Sequence, residues 1–228
     1  MTTFKRARSP EQRAERREMI LATADDLLDE YSVSELSLNL LATRTGLAKS
    51  NVLRYFDSRE HVLLQLMLRL WDDWLAALDR GADSGSIEER ERRLARTWAH
   101  ELAVRPKFAE LLAVQASVLE RNVSPEAVTE FKRGVHERFG KLVAWVRGHV
   151  PELTEEQAQR FSVGASLLAG ALWSAGNPSP VLEQVYRDNP DLCAYRIDFE
   201  PALGEQLLAL IRGVQGSNTG TENGAESH

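Results

Sequence analysis

Between residues 36 and 56 the chain carries Arg44, Lys49 and Arg54 and not one carboxylate, although acids outnumber bases over the whole sequence. Lys49, Ser50, Asn51 and Arg54 share one short helical stretch, with Tyr55 next to them and Arg59 a turn further on. These side chains suit two kinds of acceptor and donor. Lysine, serine and tyrosine meet phosphate oxygens, while arginine and asparagine form paired hydrogen bonds to the edges of guanine and adenine. Lys49, Ser50, Asn51 and Arg54 are therefore candidates for reading bases, and Tyr55 and Arg59 for holding phosphates. Ser37, Asn39 and Arg44, one element earlier, are candidates for phosphate or an outer base. Arg6, Arg8 and Arg13 form a basic arm that either follows a nucleic-acid backbone, reaches into a minor groove, or stays solvated.

Such residues act together only if short helices hold them at a fixed crossing. Ser37 is placed to cap a helix from Leu38 to about Thr45, and Gly46 to end it in a left-handed turn. A second short helix runs from about Ala48 to Tyr55. Leu38, Leu41, Ala42, Leu47, Val52 and Phe56 are spaced to form the small core between the two. A longer helix, Pro10 to Tyr31, precedes them with Ile20, Ala24, Leu27, Leu28 and Tyr31 on one stripe. Another follows: Asp57-Ser58-Arg59-Glu60 has capping-box spacing with Asp57 as the cap, and Leu63, Met67, Leu70, Trp74 and Leu78 continue it. The layout is a helix-turn-helix whose second short helix fits a major groove.

Downstream, helical patterns extend over Ile87–Val104, Pro106–Asn122, Pro125–Val150, Thr154–Ala175, Pro180–Arg187 and Pro201–Val214, each break carrying a turn residue. Nothing alternates with period two, so the fold is all-α: a helix-turn-helix domain over residues 1–59, with a linking helix starting near 58, and a helical domain over 60–215. The polar tail 216–228 reads as disordered.

Net charge, −6 for 28 basic and 34 acidic residues, argues against nucleic acid only as an average. Residues 1–59 carry ten Lys/Arg against nine Asp/Glu, so the acid excess belongs to the remainder. One cysteine, Cys193, excludes an intramolecular disulfide, and without a partner it makes a poor redox sensor. His136 and His149 lack metal-ligand spacing, and neither a metal nor another cofactor is expected. No nucleophile elbow, phosphate loop or Cys/His pairing marks an enzyme. No apolar run approaches the roughly 20 residues of a membrane span, and the charged N-terminus lacks a secretory core, so a cytoplasmic protein is expected.

The run LSLNLLATRTGLAKSNVLRYFDSREHVLLQL resembles the N-terminal domain of TetR-type transcriptional regulators, through Leu41-Ala42, Gly46-Leu47, Lys49, Arg54-Tyr55-Phe56 and Ser58-Arg59-Glu60. It departs from them at Ala48, where the family usually has a Ser or Thr cap, at Leu53, where it commonly has a phosphate-touching tyrosine, and at Asn39, where relatives often carry arginine. The resemblance implies a homodimeric repressor of a palindromic double-stranded DNA operator, released by a small-molecule effector. One such module reads few base pairs, which is the physical reason for pairing.

Ser162, Ser166, Gly170 and Ser174 form a small-residue ridge, and Leu203, Leu207 and Leu210 an apolar face; both suit a dimer interface or packing within one chain. All five tryptophans lie beyond residue 60. Trp71, Trp98, Trp145 and Trp173, with the polar His100 and Gln115, are candidates to line an effector pocket, core packing being the alternative for each. The rival to this whole reading is a helical ligand-binding or interaction protein that no longer binds DNA; an acid-free face at 36–56 speaks against it.

Overall fold

The structure, a computed structural model, describes residues 10–78 and 85–216. Arg6, Arg8 and the tail beyond 216 lie outside the described residues. Helices account for all regular structure among the described residues: α1 (Pro10–Leu27), α2 (Leu38–Thr45), α3 (Lys49–Val52), α4 (Arg59–Leu78), α5 (Ile87–Ala103), α6 (Pro106–Val114), α7 (Pro125–His149), α8 (Glu155–Gly176), α9 (Pro180–Asp188) and α10 (Phe199–Gly216). A π-helical turn, Gln115–Leu119, follows α6, and a 3₁₀ segment, Pro190–Tyr195, precedes α10.

Local chemistry explains the boundaries. The Ser37 hydroxyl accepts the Leu40 N–H at 3.2 Å and opens α2. Gly46 closes it at φ 68, a left-handed conformation that only glycine adopts cheaply. Ser86 and Thr154 build capping boxes with Glu89 and Gln157 at the starts of α5 and α8. The start of α4 differs from the capping box expected with Asp57. Ser58, not Asp57, caps it, its hydroxyl accepting the His61 N–H at 3.0 Å. The helix expected through Asn122 ends early, at Val114, with the wider π turn continuing it.

The chain forms two compact units. One comprises the chain up to Arg69 together with Val114–Arg133; the other comprises Leu70–Ala113 and the chain from Gly134. In the first, α1 packs on α2 and α2 on α3 around Ile20, Ala24, Leu27, Leu41, Val52 and Phe56, each buried. In the second, α10 lies against α5 and α8, and Trp74, Trp98, Phe108 and Phe161 form a connected aromatic core. Helix α4 contributes to both.

The ridge and face proposed for a dimer are largely consumed inside this second unit. Ser162, Leu203 and Leu207 are fully buried. Gly170 is buried because α6 passes over it: a Cβ there would stand 3.2 Å from the Ala113 Cα. Small residues here admit a neighbour of the same chain, which corrects their assignment to a partner surface. Leu210 is half-buried against Gly164, and Ser166 is half-buried with its hydroxyl donating to the Ser162 carbonyl. Of the ridge only Ser174 is exposed. The accessible side of α8 instead carries Val163 (49% exposed) and Leu167 (71% exposed), with Ala171.

Candidate nucleic-acid interface

Helix α3 is a single turn, Lys49–Val52, and its cap position, Ala48, supplies no side-chain hydrogen bond. Lys49, Ser50 and Arg54 are exposed and Asn51 is half-buried. The two cations form no ion pair or side-chain hydrogen bond with the rest of the described chain. Lys49 on the one-turn helix and Arg54 two residues beyond it, both within the acid-free stretch 36–56, leave their charge available to an external anion.

Beyond Val52 the backbone tightens. The Arg54 N–H bonds to the Asn51 carbonyl and the Tyr55 N–H to the Val52 carbonyl, both spanning three residues. A three-residue turn stacks Tyr55 over Val52, on the core side. Tyr55 is consequently buried at 8% exposure and Leu53 is left out at 40%. The expected phosphate-holding role of Tyr55 assumed a helix running through it, and burial removes the ring from that role.

Two other cations expected to face DNA are engaged within the chain. Arg44 forms a two-pronged pair with Glu30, at 2.8 and 2.7 Å, and these hydrogen bonds hold the Glu30 carboxyl below its usual value. Both side chains are about half exposed. The pair is therefore a weak tether that a phosphate can outcompete. Arg59 is more firmly used. Its Nη1 donates to the carbonyls of Leu36, Ser34 and Val33 at 3.0, 3.3 and 3.4 Å, and its guanidinium pairs with Glu60. It thus closes the loop that leads into α2. Arg59→Ala is expected to lower stability by about 1–3 kcal/mol through the carbonyls left unpaired, visible as a lower urea midpoint. Its effect on duplex affinity, measured well below the melting temperature, is expected to be under threefold. Ser37 and Asn39 are exposed, although Ser37 already serves as the α2 cap.

Around the end of the recognition segment lie residues to which sequence reading gave no part in the site, Asp57 having been read only as a helix cap. Arg17, Asp57, His61, Ser124 and Glu130 form one network. The Asp57 carboxylate accepts the Ser124 N–H at 3.1 Å and lies 2.9 Å from His61 Nδ1. Partial burial works against its charged form, but the hydrogen bonds from Ser124 and the neighbouring imidazole outweigh that and hold the carboxyl below its ordinary value.

In the other unit the six pocket candidates separate. Trp71 and Trp98 are buried in the aromatic core, and the indole N–H groups of Trp71, Trp74 and Trp98 find no acceptor among the described residues. Trp145 joins this core beside Trp98 but donates its N–H to the Leu78 carbonyl at 3.0 Å. Trp173 is half-buried against Phe199, on a shallow surface hollow with Arg196 and Glu200. His100 is exposed and 3.0 Å from Glu200, in an open groove of about 780 Å³ between α5 and α10. Gln115 donates to Glu120 at 2.7 Å and belongs to the first unit. His100 and Trp173 therefore lie at the surface of this unit, apart from the buried tryptophan core.

Comparison with known proteins fixes the family. Residues 20–66 match the model of bacterial regulatory proteins of the tetR family, and residues 68–218 match that of the tetracyclin repressor-like C-terminal domain. The chain belongs to the TetR family. It is a DNA-binding transcriptional regulator with the helix-turn-helix at its N-terminal end, as the resemblance implied. Among curated TetR-family relatives it is 25% identical over 170 residues to the HTH-type transcriptional regulator RutR of Escherichia coli, covering 72% of this chain and 76% of RutR. It is 35% identical over 72 residues to the regulator EthR of Mycobacterium tuberculosis, about a third of each chain. The fold is shared with a possible TetR family regulator from Streptomyces coelicolor (TM-score 0.56, 22% identity, 88% of this chain and 99% of that one). A TetR regulator from Rhodococcus is also alike (TM-score 0.53, 17% identity, 90% and 96%).

Proposed function

We propose that this TetR-family regulator is a cytoplasmic repressor that grips a palindromic duplex as a homodimer and releases it when a small-molecule effector binds the unit containing α5, α8 and α10. The observation that carries the DNA assignment is Lys49 and Arg54, exposed on and beside a one-turn helix within the acid-free stretch 36–56 and without an ion pair among the described residues. Arg54 and Asn51 serve base edges, Lys49 and Ser50 phosphate or an outer base, and Arg44 joins them by exchanging Glu30 for phosphate. Ser37 and Asn39 flank this surface at the start of α2.

Dimerisation is supported by the exposed apolar residues Val163 and Leu167 on α8, which a partner copy would cover. The effector reading is supported by the match of residues 68–218 to the tetracyclin repressor-like C-terminal domain and by the open groove between α5 and α10, which is wide enough for a small molecule. Helix α4 runs unbroken from Arg59 to Leu78 and is the direct covalent route between effector and DNA.

The test is a salt titration of the wild-type chain on a duplex that it enriches from a randomised pool. The logarithm of affinity is expected to fall linearly with that of salt, with a slope of about −0.9 for each phosphate neutralised. A flat dependence would overturn the interface.

A further inference from the structure

Arg17 belongs by sequence to the basic leading end of the chain. The structure turns it inward. Its Nη1 donates to the Tyr55 carbonyl at 2.7 Å, its guanidinium lies 4.5 Å from the centroid of the Phe56 ring, and its Nη2 stands 3.3 Å from a Glu130 carboxylate oxygen. One side chain of α1 thus joins the residues that close the recognition segment to the first turns of α7. A second tie runs parallel. Asp57 accepts from the Ser124 N–H, and His61 sits edge-on to Phe56 at 5.3 Å. The buried Nε2 of His61 lies 3.7 Å from Glu130, too far for a hydrogen bond.

The reason these ties matter is the size of α3. A helix of four residues makes almost no internal hydrogen bonds, and Ala48 gives it no cap, so it cannot fix its own direction. Orientation must come from what grips its ends. On the N-terminal side that is Gly46 and the α2 packing. On the C-terminal side it is the Tyr55-Phe56-Asp57 stretch, held by a charge-assisted hydrogen bond from Arg17 and by the amide of Ser124.

We propose that Arg17 and Glu130 are positioning residues for DNA reading: they hold Tyr55 and Phe56, and through them aim Lys49, Asn51 and Arg54. Glu130 lies in Val114–Arg133, a segment that packs with the helix-turn-helix yet is joined at both ends, through α6 and α7, to the chain of the other unit. The recognition helix accordingly has two inputs, α4 and this segment. By linkage, whatever shifts the segment changes DNA affinity, and DNA binding steadies the segment. The inference rests on the interface assignment above.

The test compares the wild-type full chain with Glu130→Gln, Glu130→Asp, Arg17→Ala and the double variant Lys49→Ala/Arg54→Ala. Each is measured on the duplex that the wild type enriches from a randomised pool and on an unselected duplex, over a range of salt, with melting curves alongside. Glu130 is half exposed and glutamine keeps its volume, so this variant retains the fold. Glu130→Gln and Arg17→Ala are expected to weaken selected-duplex binding about tenfold, leave unselected binding and the salt slope unchanged, and Glu130→Asp to recover most of the loss. A phosphate-contacting Arg17 would instead lower both affinities and the salt slope together, and a purely structural pair would lower only the melting temperature; either result overturns the proposal. If the double variant loses affinity while Glu130→Gln does not, the positioning role alone falls. If the double variant binds like wild type, the interface assignment falls and takes this proposal with it.

Discussion

Replacing Lys49 and Arg54 together by alanine is expected to reduce affinity for the selected duplex by about a hundredfold or more at fixed salt, since one good base contact alone is worth about 1–3 kcal/mol. In the proposed homodimer four cations would be lost, two per protomer. The salt slope should become shallower as well, by about 0.9 for each lost side chain that had neutralised a phosphate. Stability should not follow. Both residues are exposed and neither is engaged in the described structure, and alanine is at least as good a helix former as either. The expected melting temperature is therefore that of the wild type, which separates lost recognition from lost folding. Arg44→Ala supplies the contrast. Its guanidinium already has Glu30, so its transfer to phosphate gains only the difference between two exposed pairs. It should cost under tenfold. A double variant that bound as tightly as the wild type would remove Lys49 and Arg54 from the interface altogether.

What the sequence made legible was whatever depends on neighbours a few residues apart. Ser37 and Gly46 delimit α2 because capping and left-handed turns are local chemistry. The prolines at 106, 125 and 180 open helices for the same reason. The acid-free stretch also survived as a surface, since Lys49, Ser50 and Arg54 are exposed. The losses occur where a distant segment decides. Tyr55, expected at phosphate, turned inward because the backbone tightens after Val52, a change of pitch that periodicity alone does not register. Arg59 was expected to hold phosphate, yet its long stem carries the guanidinium to the Leu36 carbonyl, as that of Arg17 reaches the Tyr55 carbonyl 38 residues away. The grouping of Val114–Arg133 with the helix-turn-helix is a long-range fact with no local signature. Small residues at 162 and 170 announce close packing, but their spacing does not say whether the neighbour is α6 of the same chain or a helix of another.

That ambiguity makes the second large effect testable by contrast. Leu167 is 71% exposed on α8 with Val163 beside it, whereas Leu207 on α10 is fully buried. If α8 presents the dimer surface, Leu167→Glu places a carboxylate in an apolar contact and, by two-fold symmetry, a second one from the other copy. The chain should then sediment as a monomer at micromolar concentration. Selected-duplex affinity should drop by at least about a hundredfold, because a lone helix-turn-helix keeps only one half-site. Far-ultraviolet circular dichroism should stay helical, since no buried contact within the chain is removed. Leu207→Ala must behave differently. It deletes methyl groups from the packing of α10 against α5 and α8, and about 2–5 kcal/mol of stability should go with them. A Leu167→Glu chain that still sediments as a dimer would exclude this face of α8 from the interface.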